Sequence, residues 1–305
     1  MTTGPYRCAM DVVVAGSSGL IGSALTDHLV RRGHRVRRLV RRPARTGDEI
    51  SWTTPDLDLR DVDAVVNLGG AGLGDRRWSA GYRRVILSSR TGPTNQLATT
   101  LAQTTDGPRV LLQGSAVGYY GDRGDEILTE SSARGDGFLA DVVQQWEAAT
   151  RPAEDAGIRV AHLRTGIVMS RRGGSFGRLL PLLRLGRGGP LGDGRQVWSW
   201  ITLVDHVRAV EHLLTSSVSG PVNLTAPHPA PQREIVREIA RVLHRPAVLS
   251  VPRAALRAVL GPFADDICSS QHALPAVLAA DGFEHVHHDL TRAAAWVTGK
   301  PARPR

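Results

Sequence analysis

The stretch from Asp11 to Gly22 reads Asp11-Val12-Val13-Val14-Ala15-Gly16-Ser17-Ser18-Gly19-Leu20-Ile21-Gly22, and its reading decides the fold. Asp11 to Ala15 is a short, nearly continuous apolar run, which predicts a buried strand. From Gly19 the apolar residues recur at three and four positions through Leu20, Ile21, Ala24, Leu25 and Leu29, ending in the basic turn Arg31, Arg32 and Gly33, which predicts a helix with a glycine stop. A second strand is predicted over Val36 to Val40, completing a βαβ unit and implying a parallel sheet. The glycines therefore lie between a strand and a helix, where a dinucleotide fingerprint works. Glycine permits a tight turn and lets the backbone approach a pyrophosphate, whose charge is met by free N–H groups at the helix start. Gly16, Ser17, Ser18, Gly19, Leu20, Ile21 and Gly22 are accordingly candidate cofactor-binding residues. A purely structural turn is the competing reading.

The strand and helix alternation continues outward. Strands are expected over Asp63 to Gly70, Arg109 to Gln113 and Arg159 to Leu163, and helices over Tyr82 to Ala102 and Asp141 to Ala153, the latter interrupted by Pro152. The fold class predicted is α/β, a doubly wound parallel sheet (Rossmann) with a second, smaller C-terminal substrate domain. Residues 1–165 are assigned to the nucleotide-binding domain and residues 166–305 to the substrate side, with the chain recrossing near 195–225. A glycine-rich region from Gly173 to Gly194 carries a short helix, Phe176 to Leu185. A further strand is expected at Pro221 to Leu224 and helices at Gln232 to Leu243 and Arg253 to Leu260.

Length and composition agree with this architecture. The chain has 305 residues, 41% hydrophobic and 22% charged, with a formal charge of +9, an ordinary globular balance with room for one large or two modest domains. No run approaches the roughly 20 apolar residues needed to span a bilayer, and no leader precedes the first strand; a cytoplasmic protein without membrane association is expected. Cys8 and Cys268 are too few for a disulfide framework or a cysteine-rich metal site. Lys300 is the only lysine, so the positive charge is almost all arginine, and coding bias explains that most simply. Dispersed arginines without an aromatic-basic module argue against nucleic-acid binding.

The end of the second strand separates two dinucleotides. An acid there accepts a ribose 2′-hydroxyl, whereas arginine pairs with a 2′-phosphate. The sequence Leu39-Val40-Arg41-Arg42-Pro43 has no acid, so Arg41 and Arg42 favour NADP.

The spacing of Gly16, Gly19 and Gly22, with Asn67-Leu-Gly-Gly70 after the fourth strand, resembles the extended short-chain dehydrogenase/reductase group. Further phrases resemble its branch called the epimerase-like family of NAD(P)-binding oxidoreductases: Arg77-Trp78, Ser89-Arg90-Thr91, Ser115-Ala-Val-Gly-Tyr-Tyr-Gly121, Trp146-Glu147, Leu191-Gly-Asp-Gly194, and Ser199-Trp-Ile201 with Asp205. The likeness runs from about Met10 to Trp296. It implies that Met10, rather than Met1, is the native start, and that Leu68, Gly69 and Arg90 lie near the cofactor. It also implies a small end domain carrying Ala264-Asp-Asp-Ile267, Gln271, Leu274-Pro275 and Gly282-Phe283. A homodimer through the Tyr82 to Ala102 helix is expected by the same analogy.

One departure bears on the chemistry. The wider group uses a Tyr-x-x-x-Lys pair on the helix after the fifth strand, and the corresponding stretch here, Phe138-Leu-Ala-Asp-Val142, has neither residue. An unassisted tyrosine titrates near about 10, too high for an efficient base at neutral pH. The remaining candidates at the carboxyl edge of the sheet are Ser115, which could orient a carbonyl, and Tyr119 and Tyr120, either of which could supply a proton; ring packing is the alternative. Asp122 and Glu130 are nearby carboxylates, Asp205 is read as a helix N-cap, and His162 as a core histidine. His285, His287 and His288 are read as a solvated edge strand, with no metal site. Trp198 and Trp200 pack in the core or flank a substrate ring.

The function expected is an NADP-dependent oxidoreductase or epimerase-like enzyme acting on a small polar molecule. The alternative is a non-catalytic NADP(H)-binding regulator or scaffold, which the missing pair favours.

Overall fold

The structure is a computed structural model that describes residues 9–52 and 57–300; Met1 and Cys8 lie outside the described residues. Seven parallel strands form the central sheet, in the spatial order Gly220–Leu224, Arg159–Thr165, Val110–Ala116, Ala64–Asn67, Asp11–Ala15, Arg35–Val40, Glu49–Ser51. The strand order reverses between Asp11–Ala15 and Ala64–Asn67, and such a reversal opens a crevice outside the carboxyl ends of the two strands. Ala15 pairs in register with Asn67, so the chain leaves both strands side by side at that crevice.

The sheet is buried because both faces are covered. Val12 and Val14 pack into one core with Leu25 and Leu29 of the Leu20–Arg31 helix, and Val13 packs into the opposite core with Leu97 and Leu101 of the Ala80–Gln103 helix. A run of three valines suits this situation, since every side chain finds an apolar partner. Each such burial contributes roughly 1.5–3 kcal/mol. Ser79 caps the Ala80–Gln103 helix by accepting the N–H of Tyr82 at 3.1 Å. The interruption at Pro152 falls just before it: one helix covers Phe138–Ala148 and another Arg151–Asp155, with the proline in the first turn of the second, where its missing N–H costs nothing.

The strand Gly220–Leu224 adds to one edge of the sheet, beside Arg159–Thr165. The helix Leu203–Thr215 lies against Leu20–Arg31, tied by Glu211 to His28 at 2.7 Å and Arg32 at 2.9 Å, and leads into the last sheet strand. A second core joins Phe176, Leu180 and Leu183 of the Gly174–Arg184 helix to Trp198, Trp200, Ile235 and Ile239, closed by the Leu290–Thr298 helix. Trp198 and Trp200 are thus core residues, each with its indole N–H on a carbonyl, those of Ile267 and His228.

Two local expectations change. The N-cap of the Leu203–Thr215 helix is Thr202, whose hydroxyl accepts the N–H of Asp205. Asp205 instead sits fully buried in the first turn, accepting the N–H groups of Val286 and His287. Residues 285–288 are a turn rather than a strand: His285 bonds the Thr225 carbonyl, and His287 meets the Thr202 hydroxyl. Among the described residues no group of three or more side chains is placed to hold a metal ion, and no helix is long and apolar enough to cross a membrane.

Candidate functional site

At the crevice Gly16 has φ +76°, a left-handed conformation that favours glycine. A Cβ there would meet the backbone carbonyl of Leu68 at 2.8 Å, and a Cβ at Gly22 would lie 2.2 Å from the Gly16 carbonyl oxygen. The turn is further closed by the Gly19 N–H donating to that oxygen at 3.0 Å. Only glycines at 16 and 22 allow the helix, the turn and the Leu68–Gly69 backbone to approach so closely. The helix N-terminus carries no side-chain cap and no acid in its first turn, which leaves its partial positive charge for an external anion. Ser18 and Gly19 are exposed at its mouth. The structure thus brings Gly16 to Gly22 together with Leu68 and Gly69.

The two arginines after the second strand differ. Arg42 grips Glu49 with both terminal nitrogens, at 2.8 and 2.7 Å, and hydrogen bonding to Arg42 holds the Glu49 carboxyl down at about 2. Arg41 is exposed and makes no hydrogen bond or ion pair to a described residue, so it is the one available to a 2′-phosphate.

Arg90 lies on the other side of the Leu68 loop. Its guanidinium donates to the carbonyls of Ile86 and Ala71, each at 3.0 Å, and sits 5.0 Å from the Trp146 ring. A Cβ at Gly70 would touch it at 3.1 Å. No carboxylate pairs with it among the described residues, and burial pushes it down to about 10.

Beside the fifth sheet strand a buried network absorbs two of the candidate catalytic groups. The Ser115 hydroxyl donates to Glu147 at 2.6 Å, and Arg164, facing Ser115 on the neighbouring strand, grips Glu147 with two bonds of 2.9 Å. Arg164 also donates to the Tyr120 hydroxyl at 3.1 Å, which in turn donates to Asn223 at 2.8 Å. Burial opposes charge on Glu147, but hydrogen bonding and attraction from Arg164 outweigh it and hold the carboxyl below its usual range. Burial pushes the Tyr120 phenol up. Tyr120 is 0% exposed and Ser115 5%. Tyr119 is half-buried, its ring 3.5 Å from the Arg164 guanidinium, and its hydroxyl bonds no described residue. Asp122 and Glu130 tie the sheet edge to the C-terminal region by accepting the N–H groups of Ser270 and of Asn223 and Val277. His162 is buried and bonds Thr150 at 2.9 Å.

At the start of the Phe138–Ala148 helix, Phe138 meets Trp78 edge-on at 5.2 Å and Val142 is buried in the same cluster. The absence of a tyrosine and lysine there is therefore a packed apolar surface. Lys300, beyond the final helix, bonds the Ala295 carbonyl through its backbone. Sequence reasoning assigned no role to Glu147, Arg164 or Asn223; Trp146-Glu147 was legible as a motif, but its partners come from other strands.

The fold is shared by known proteins. The model of the NAD dependent epimerase/dehydratase family matches residues 12–225. The chain belongs to this family. A domain of unknown function matches residues 251–297 of the same epimerase-family chain. An epimerase family protein of Mycobacterium bovis is 42% identical over 297 residues, covering 95% of the chain and 98% of the relative. The human epimerase family protein SDR39U1, solved with NADPH, superposes with a TM-score of 0.90 at 32% identity, covering 95% and 99%. A nucleoside-diphosphate sugar epimerase structure from Corynebacterium glutamicum gives a TM-score of 0.76 at 36% identity, covering 95% of this chain and 58% of that one.

Proposed function

We propose that this chain is an NADP-dependent oxidoreductase or epimerase-like enzyme acting on a small polar molecule held between a nucleotide-binding domain, residues 1–165, and a substrate side, residues 166–305. The observation that carries it is the uncapped helix N-terminus behind Gly16 and Gly22, set at the switch point of a parallel sheet. Ser17, Ser18, Gly19, Leu20 and Ile21 present backbone there to a diphosphate, Leu68 and Gly69 flank the nucleotide, and Arg90 supplies an uncompensated positive charge. Arg41 meets a 2′-phosphate, with Arg42 and Glu49 fixing the turn beneath it. The human relative solved with NADPH supports this choice of nucleotide. When bound, the nicotinamide gives or takes hydride, which needs chiefly an oriented carbonyl.

Ser115 and Tyr120 act as positioning residues, since both hydroxyls are spent on Glu147 and Asn223. Tyr119 is the member of the trio free to face a ligand. Calorimetry with NADPH and NADH tests the reading: NADPH binding in the micromolar range is expected, and no heat with either nucleotide at millimolar concentration overturns it. A second reading, a non-catalytic NADP(H) sensor, is favoured by the apolar Phe138 and Val142. Tight NADPH binding without turnover of any carbonyl substrate would select it.

A further inference from the structure

The Gly174–Arg184 helix buries Phe176, Leu180 and Leu183 against the second core, which turns Leu182 outward. Leu185, just past its last turn, is 69% exposed. Beyond it the chain is shaped for a close neighbour. Gly186 has φ +68°, and a Cβ at Gly189 would lie 2.2 Å from the Leu249 carbonyl oxygen. Segment 245–251 fills that space. The Arg245 Nε donates to the Arg184 carbonyl at 3.0 Å, the Val251 N–H to that of Pro190 at 2.9 Å, and the Gly192 N–H to that of Val251 at 2.9 Å. Val248 is 77% exposed on this segment, with Leu249 exposed beside it. The helix Arg253–Leu260 follows directly and buries only Leu256, leaving Ala254, Ala255, Ala258 and Val259 in the open.

Single exposed aliphatics are ordinary, whereas a contiguous set marks a binding surface. Leu182, Leu185, Val248, Leu249, Val251 and Val259 are six of the ten large exposed hydrophobic side chains among the described residues, so exposure is concentrated on this face. The charge is equally one-sided. Residues 174–191 and 244–264 hold no Asp or Glu and six arginines, Arg178, Arg184, Arg187, Arg245, Arg253 and Arg257. Asp265, just outside, engages Arg253 at 2.9 Å and Arg257 at 3.4 Å, and Arg178 reaches the Gly74 carbonyl. Arg184 and Arg187 are exposed and their side chains bond no described residue, so they flank Leu185 with free positive charge.

We propose that this face docks on an anionic lipid surface, its aliphatic side chains entering the acyl boundary and Arg184, Arg187 and Arg245 meeting lipid phosphates. A layer that sets phosphate over hydrocarbon complements both halves of the face at once. A second copy of the chain would set arginine against arginine. Nucleic acid would take the arginines and leave the aliphatics unmatched. Protein interfaces anchor on Trp and Tyr more than on Leu and Val, and neither stretch holds a Trp or Tyr. Lying on a bilayer needs no spanning helix, so the expectation of a protein without membrane association gives way at this face.

The test is sedimentation of the full chain, without nucleotide, with vesicles of equal parts phosphatidylglycerol and phosphatidylcholine and with vesicles of phosphatidylcholine alone. Binding to the mixed vesicles is expected to be at least about tenfold tighter than to phosphatidylcholine. Arg184→Ser combined with Arg187→Ser is expected to weaken it at least about tenfold, and Leu185→Ser combined with Val248→Ser by about the same factor. Arg31→Ser combined with Arg151→Ser removes equal charge from exposed positions on helices that flank the sheet; binding is expected to change by less than about twofold, since salt screens distant charges. Unchanged thermal unfolding verifies that these surface variants are folded. No binding by the wild type, equal binding to both kinds of vesicle, or an equal loss in the Arg31 and Arg151 variant overturns the proposal. Full binding by the Leu185 and Val248 variant also overturns it, because charge alone then explains adsorption. Tighter binding to duplex DNA than to the mixed vesicles gives the face to nucleic acid, and a dimer dissolved by the Leu185 and Val248 changes gives it to a second copy; either result overturns it.

Discussion

Glu147 and Arg164 are locked face to face beneath the sheet edge, with Nε on Oε1 and Nη2 on Oε2, both at 2.9 Å. Their side chains are 12% and 4% exposed, so neither charge can be abandoned to water. Removing one partner of such a pair typically costs about 3–5 kcal/mol because the other stays buried and unpaired. Glu147→Ala is expected to lower stability by about 3 kcal/mol or more in urea unfolding. Because the folded-state carboxyl is held below its unfolded value, the pair contributes fully at neutral pH and loses that contribution as pH falls through the folded value. Loss in Glu147→Ala should therefore shrink in acid; a constant loss would refute the ionic account.

Gly22→Ala forces a Cβ to within 2.2 Å of the Gly16 carbonyl oxygen, which only a displaced turn can relieve. Overpacking of this kind costs about 1–3 kcal/mol. NADPH affinity should drop at least tenfold, because the same turn presents the N–H groups. Thermal shift with and without NADPH checks both effects, and a normal ligand-induced shift in the variant would count against the cradle.

Arg41 and Arg42 should separate in their effect on nucleotide choice. A charge-assisted hydrogen bond contributes about 1.5–3 kcal/mol, so Arg41→Ser is expected to weaken NADPH by roughly tenfold or more and leave NADH unchanged. Arg42→Ser removes the clamp on Glu49 and should disturb both nucleotides together. Calorimetry of the two variants with the two nucleotides reads the difference.

His206 is fully buried, its Nε2 on the Thr165 hydroxyl and its Nδ1 unpartnered. Burial pushes it down from 6.5 to about 4. The unfolded chain then binds a proton that the folded chain refuses, so stability is full above about pH 6.5 and declines as pH falls toward 4, by up to about 3 kcal/mol. Urea titrations at pH 7 and pH 4.5 should show this slope, and His206→Gln should flatten it.

Tyr120→Phe and Tyr119→Phe should differ in kind. The first removes a hydroxyl bonded to Arg164 and Asn223 and is expected to cost about 1–3 kcal/mol of stability. The second removes a hydroxyl with no partner among the described residues and should leave the unfolding free energy unchanged within about 0.5 kcal/mol. Equal stability losses would contradict the different placements of the two rings.

The sequence alone determined the frame, because a strand, a glycine turn and a helix are local patterns. Asp11–Ala15 and Gln232–Leu243 carry their own apolar periodicity and stop signals, and were legible to the residue. Gly16, Gly19 and Gly22 announced a close backbone approach by spacing, and Phe138 and Val142 announced the missing pair by identity. What approaches Gly16, namely Leu68, follows from two strands ending together in register. Tertiary structure alone decided which polar groups are free. Ser115 looked available until Glu147 met it across the packing of helix on sheet, and Arg42 until Glu49 arrived from the next strand. Burial, which gives a charge its chemistry, is a property of the packed chain and not of any one segment of it.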